Sequence, residues 1–288
     1  MSKTAPHPRV VMVDGVPMSA LVAEAAEPRA VLIALHGGAT TSAYFDCPGH
    51  PELSLLRTAV AQGYTVIALD RPGYGASAAY PDAMAHPDQR VALVFGAAER
   101  IAGSGPMFVL GHSMGCELAI RMAVSGDLLG VSLAGTGRRY HADAHEILKN
   151  ASVDHRPRGL RDLLWEPARL YPADVIGAGL SSAGTSYEGQ VIKTWAAQDF
   201  PELAGQITVP VQFTAGDHES VWESDSAALA EIAAMFGASS RVEVGELADS
   251  GHNLSLGLTA GTYHHRVLAF ADECVADRVR TDVEVEAG

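Results

Sequence analysis

Residues 107–120 read "MFVLGHSMGCELAI", an apolar run that passes through a serine flanked by glycines and goes straight into a helical pattern. Few folds accept this. "MFVL" reads as a buried strand, and Glu117 to Ala123 read as a helix, so the chain turns sharply between them. Gly111, His112, Ser113, Met114 and Gly115 occupy the turn as G-x-S-x-G. A strand that bends this tightly into a helix forces its middle residue into a strained backbone conformation, and the flanking positions must lack bulk. Ser113 is then held at the apex, hydroxyl outward, at the carboxyl end of the strand. The first N–H groups of the helix lie beside it, where they can stabilise an oxyanion. A tight strand–helix turn with an incidental serine gives the same five letters, so the reading depends on partners elsewhere in the chain.

The surrounding sequence repeats the strand–helix alternation. "RVVMVDG" and "PMSALVAEA" form a hairpin around Asp14-Gly15. "AVLIALHGG" and "YTVIALDRPGYG" are continuous apolar runs that end in glycine-containing loops, as strands buried on both faces do. Helices are expected over 51–62, 84–101 and up to about 125, then a strand in "LLGVSLAGTG". This is the pattern of a mostly parallel sheet covered by helices on both faces. Between 138 and 206 the rhythm breaks into polar residues, prolines and helical fragments at 143–149, 160–170 and 187–198. A connection this long without structure is uncommon in compact domains, so it reads as an inserted helical cap. Residues 1–137 and 207–288 then form one core. Its second part supplies the strand "TVPVQFTAGD", a helix over 224–236, the strand "SRVEVGEL", a closing helix over 254–275 and a frayed acidic tail.

A serine hydroxyl needs a base, and the base needs an orienting acid. "DSGHNLSLG" places His252 after the strand "RVEVGEL", on the same sheet edge as Ser113, between small residues and a helix start. The acid is one of two carboxylates in "VPVQFTAGDHES", Asp217 or Glu219, and the other is a solvated loop charge. The later position clears the strand end better. For the oxyanion, the N–H of Met114 needs a second donor. Gly37 and Gly38 in "ALHGGAT" follow a buried strand where close backbone approach requires glycine, and Gly38 is the favoured donor.

Composition narrows the function. A net charge of −14 argues against a nucleic-acid partner. No apolar run has the length of a membrane span. The first ten residues lack the apolar centre of an export signal, and the three cysteines, Cys47, Cys116 and Cys274, fit neither a metal pattern nor a disulfide framework. The expectation is a cytoplasmic protein with no metal, no cofactor and a small-molecule acyl substrate; its oligomeric state is not legible.

With these residues assembled, the chain resembles the α/β-hydrolase superfamily, on the serine-nucleophile, esterase/thioesterase-like branch. "LHGG", "DRPGYGAS", "GHSMG", "GDHE" and "SGHN" match, in order, the oxyanion loop, the loop after the next strand, the nucleophile elbow, the acid loop and the histidine loop. The likeness implies an α/β-hydrolase fold with an inserted cap. The family's acid loop commonly spaces Pro, Gly and acid as Pro210, Gly216 and Glu219 are spaced here, which favours Glu219 over Asp217. Family branches with an aspartate nucleophile do not fit Ser113. The resemblance implies hydrolysis of a carboxylic ester or thioester of a small to medium apolar substrate through an acyl-enzyme. The same site run as a lyase or acyltransferase, or a ligand-binding protein on this scaffold, are the alternatives.

Overall fold

The computed structural model describes residues 4–149, 157–176, 180 and 182–287. An eight-stranded sheet runs in the order β1-β2-β4-β3-β5-β6-β7-β8. Its strands are β1 (His7–Val13), β2 (Val16–Ala23), β3 (Ala30–Leu35), β4 (Tyr64–Leu69), β5 (Met107–His112), β6 (Gly130–Ala134), β7 (Val211–Gly216) and β8 (Val242–Leu247). The β1–β2 hairpin is antiparallel and β2 joins β4 antiparallel; all other neighbours are parallel.

The continuous apolar runs have a simple cause. Alternate residues of a strand face opposite sides. In β3, Ile33 and Leu35 join one core and Leu32 and Ala34 the other. The first core packs α2 (Pro87–Ala102), α3 (Gly115–Ser125) and α8 (Ser226–Met235) on one face; the second packs α1 (Leu55–Ala61) and α9 (Ala260–Ala287) on the other. A strand covered on both sides has no polar face to show.

Three helix boundaries differ from the sequence reading. The helix expected over 51–62 is a 3-10 turn, Pro51–Leu53, followed by α1, because Ser54 accepts a hydrogen bond from the Arg57 N–H at 3.2 Å and caps a new start. The helix expected from 84 begins at Pro87, whose missing N–H is harmless only in the first turn. The closing helix does not fray after 275. It starts at Ala260 and continues to Ala287, because residues 276–287 contain no glycine or proline, and Arg278 donates to Asp127 at 3.1 Å.

Between β6 and β7 lie α4 (Ala142–Leu148), α5 (Leu160–Trp165), α6 (Glu188–Thr194), a π-helical turn (Trp195–Asp199) and α7 (Phe200–Ala204). The expected cap insert spans this stretch; its residues 150–156, 177–179 and 181 lie outside the described residues. Val191, Trp195, Phe200 and Ala204 join the first core and hold the segment to the sheet. No described helix is long and apolar enough to cross a membrane.

Candidate active site

The carboxyl edge of the sheet gathers the residues that the sequence singled out. After β3 the chain goes to β4 on one side, and β5 pairs on the other, so the order reverses between β3 and β5. In open parallel sheets such a reversal leaves a crevice beyond the strand ends. Gly37 and Gly38 leave β3 at one wall, and Ser113 leaves β5 at the other.

Ser113 has φ of 52°, the left-handed conformation expected of a strained apex. Its N–H donates to the Ala134 carbonyl of β6 at 2.8 Å, which ties the turn to the sheet. The flanking glycines are steric necessities. A Cβ at Gly111 would stand 2.8 Å from the Ala119 Cβ of α3, and one at Gly115 would stand 2.1 Å from the Leu35 carbonyl oxygen. Gly115→Ala therefore drives the start of α3 and the end of β3 apart. It should lower the unfolding free energy by about 2–3 kcal/mol, measured by denaturant titration, and reduce any turnover with it. A wild-type denaturation midpoint would contradict the packing described.

His252 lies on the loop after β8 and is buried. Its Nε2 is 3.3 Å from Ser113 Oγ, and its Nδ1 is 2.9 Å from Glu219 Oε2 and 3.1 Å from Oε1. Glu219 is buried and also accepts the Val221 N–H at 2.8 Å. Burial pushes its pKa up, but the His252 ring and the N–H groups of Val221 and Trp222 outweigh that and hold it below the usual carboxylate value. An ionised Glu219 accepts from Nδ1–H. That fixes the tautomer of His252 and leaves the Nε2 lone pair toward Ser113.

Asp217 is placed differently. It is exposed, and its two oxygens accept the N–H groups of Asp249 and Ser250, both at 2.9 Å. Burial raises its pKa, but the N–H groups of Ser250 and Asp249 and the nearby His218 together outweigh it, for a net downward shift. It makes no hydrogen bond to the His252 ring among the described residues. It is not merely a solvated loop charge, since it pins the loop that carries His252.

His112 was not picked out by sequence reasoning, because inside G-x-S-x-G it looks like a filler position. It is buried, stacks on Tyr44 at 4.5 Å, and its Nε2 donates to the His252 carbonyl at 2.9 Å. Burial, and then the neighbouring His252, bring its pKa down to about 3, so it stays neutral and keeps a single donor tautomer. It steadies the backbone of His252.

Gly37 and Gly38 lie against the elbow. A Cβ at Gly37 would come 3.1 Å from the Ser113 Cβ, and one at Gly38 would come 3.2 Å from the Met114 Cγ. Among the described residues, the N–H groups of Gly38 and Met114 are engaged by no backbone carbonyl. Beside them is a cavity of about 30 Å³ lined by Ser113, Met114, Glu117, Thr136, Tyr140, Val191, Ile192, Trp195 and Trp222. Trp195 and Trp222 are fixed by indole hydrogen bonds to Thr136 Oγ1 at 2.8 Å and the Gly135 carbonyl at 3.0 Å, and Tyr140 stacks on Trp222 at 4.0 Å.

Of the aromatic residues in the segment between β6 and β7, Tyr140 and Trp195 line the cavity. Tyr187 and Tyr171 are anchors: Tyr187 donates to the Pro72 carbonyl at 2.9 Å, and Tyr171 accepts the Asn253 N–H at 3.2 Å while packing edge-on against Trp165. The three cysteines are buried, and burial raises the thiol pKa of Cys47 to about 11 and those of Cys116 and Cys274 to about 12. None is poised as a thiolate. Among the described residues, no group of three or more His, Cys, Asp or Glu side chains is placed to hold a metal ion.

Residues 31–268 match the family model described as the alpha/beta hydrolase family. Among solved structures, the chain is similar to a carboxyl esterase from Bacillus coagulans, with 15% identity, a TM-score of 0.70 and coverage of 94% of this chain and 99% of that one. It is also similar to a thioesterase domain from the curacin biosynthetic pathway, with 18% identity, a TM-score of 0.62 and coverage of 92% and 99%. A membrane phospholipase A described as a bacterial virulence factor shares 19% identity, with a TM-score of 0.69 and coverage of 94% and 88%. At these identities the likeness is one of fold. No curated protein sequence matches the chain at a significant level.

Proposed function

The chain belongs to the alpha/beta hydrolase family, and from that premise we propose that it is a serine hydrolase cleaving a carboxylic ester or thioester of a small apolar acyl substrate through an acyl-enzyme. The observation that carries this reading is the unbroken hydrogen-bond chain from Glu219 through His252 to Ser113, at 2.9 and 3.3 Å, opening on an apolar cavity.

The chemistry follows from that chain. Ser113 Oγ attacks the acyl carbonyl as His252 Nε2 takes its proton. Glu219 stabilises the imidazolium that results. The carbonyl oxygen becomes an oxyanion and is met by the N–H groups of Gly38 and Met114. Collapse expels the alcohol or thiol, which takes the proton from His252. Water then attacks the acyl-Ser113 ester by the same route, and the carboxylic acid leaves. A Ser–His distance of 3.3 Å without substrate is ordinary for such a pair and shortens in the reacting complex.

The cavity suggests the acyl partner. Its walls are apolar and aromatic, and its one carboxylate, Glu117, is already held by Arg90 at 3.1 Å and Arg121 at 2.5 Å. Nothing there matches a charged acyl group. The volume of about 30 Å³ admits a water or a methyl but no longer chain unless the helical segment over it moves. We read residues 138–206 as a cap whose α6 and π-helical turn form the movable wall. Thioesters and chromogenic esters of graded acyl length, with products identified, test the reading: acetyl should be preferred. Ile192→Ala, at a partly exposed wall position, should raise kcat/KM for a butanoyl ester relative to acetyl by roughly tenfold. An unchanged ratio would place the acyl group elsewhere, and turnover of no ester or thioester would refute the hydrolase reading.

A further inference from the structure

The loop after β3 is gripped by a buried polar network whose hub is on the segment above the site. The Gly37 carbonyl accepts from Arg71 Nη2 at 3.0 Å and from His36 Nδ1 at 2.7 Å. His36 is locked in turn, its Nε2 accepting the Arg71 N–H at 3.1 Å. The same Arg71 Nη2 donates to Glu188 Oε1 at 2.5 Å. Tyr74 Oη donates to Glu188 at 2.8 Å and accepts the Ala39 N–H at 2.9 Å. The Ala39 carbonyl accepts the Ser182 N–H at 2.9 Å. Arg71 and Glu188 are almost wholly buried, with side chains 1% and 8% exposed.

Each group on either side of Gly38 is therefore held, and the Gly38 N–H is the group left over. In a trans peptide the carbonyl of Gly37 and the N–H of Gly38 point in opposite directions. Clamping the carbonyl fixes the N–H, and a guanidinium on the carbonyl further polarises the peptide as a donor. Glu188 lies on α6, so it reaches the loop only when α6 is seated over the site. A buried ion pair is weak evidence for stability, since its desolvation cost offsets most of its attraction. This pair has a geometric task instead.

We propose that Arg71, Tyr74 and Glu188 are positioning residues that set the Gly37–Gly38 peptide for oxyanion binding, so that seating α6 completes the donor pair of Gly38 and Met114. This rests on the reading of Ser113 as nucleophile. The network makes oxyanion stabilisation conditional on closure, which suits a site whose acyl cavity opens by moving the same helix.

The test uses the full chain. Arg71→Met combined with Glu188→Met removes both buried charges together and spares the cost of leaving one unpaired. Its kcat should fall by about 100-fold, as for loss of one oxyanion donor, with KM within about twofold of wild type. The Gly38 amide resonance in a ¹H–¹⁵N spectrum should shift. Tyr74→Phe, isosteric and foldable, should lower kcat about tenfold and move the same resonance, because it frees the Ala39 N–H. A merely structural network predicts otherwise: kcat near wild type in a double variant that keeps the wild-type Tm, with the Gly38 amide unmoved. That result overturns the proposal. If the wild type hydrolyses nothing, the hydrolase reading falls, while the Gly38 resonance in the two variants still decides whether the clamp exists.

Discussion

Ser113→Ala should abolish turnover while leaving the fold intact. The hydroxyl is the attacking atom, and no other described serine makes a hydrogen bond to His252. Loss of a nucleophile that works in concert with its base lowers kcat by roughly 10⁴ to 10⁶, and what remains comes from oxyanion binding and orientation alone. The fold should not notice. Alanine meets the same backbone strain at φ of 52° as serine does, and the side chain gives up only its contact with His252. The measurement is kcat on the best ester together with the thermal midpoint. Substantial turnover in a folded alanine variant would remove Ser113 from the chemistry.

Glu219→Gln should be nearly as damaging, and Asp217→Asn should not. The orienting carboxylate holds Nδ1–H and balances the imidazolium in the transition state, so its loss costs on the order of 10⁴ in kcat. A glutamine keeps the shape but can turn its amide N–H toward Nδ1, which selects the tautomer with the proton on the wrong nitrogen. Asp217 acts on the backbone of Asp249 and Ser250, on the loop that carries His252, and not on the ring itself. Asparagine there retains one acceptor. It should lower the thermal midpoint modestly and leave kcat within a few-fold. If Asp217→Asn is the dead variant and Glu219→Gln the healthy one, the acid assignment is reversed.

What could be read in the chain was what local pattern records. Continuous apolar runs gave β3, β4 and β5 because a strand with helices on both faces shows no alternation. The glycines around Ser113 could be read because only glycine fits within 3 Å of a neighbouring backbone or Cβ. The choice of Glu219 over Asp217 came from a spacing, and the geometry separates them by where each side chain points. The rest depends on contacts between residues far apart. Arg71 and Glu188 are 117 positions apart and give no joint signal. In "DRPG", Arg71 reads as an ordinary loop cation, and Glu188 reads as a helix-start acid. Trp222 and Tyr140 meet through an isolated bridge that no periodicity marks. The boundary differences are local: Ser54 caps a new helix start inside 51–62, and the acidic stretch after 275 stays helical because it holds no helix breaker.

The most direct measurement is reaction with a fluorophosphonate, followed by mass spectrometry of the labelled peptide. An activated serine displaces fluoride and forms a stable phosphonyl ester; an ordinary surface hydroxyl does not. The label should fall on Ser113 in the wild type, appear orders of magnitude more slowly in His252→Ala, and be absent in Ser113→Ala. A label on another serine, or a wild-type Ser113 that reacts no faster than it does without His252, would contradict the account.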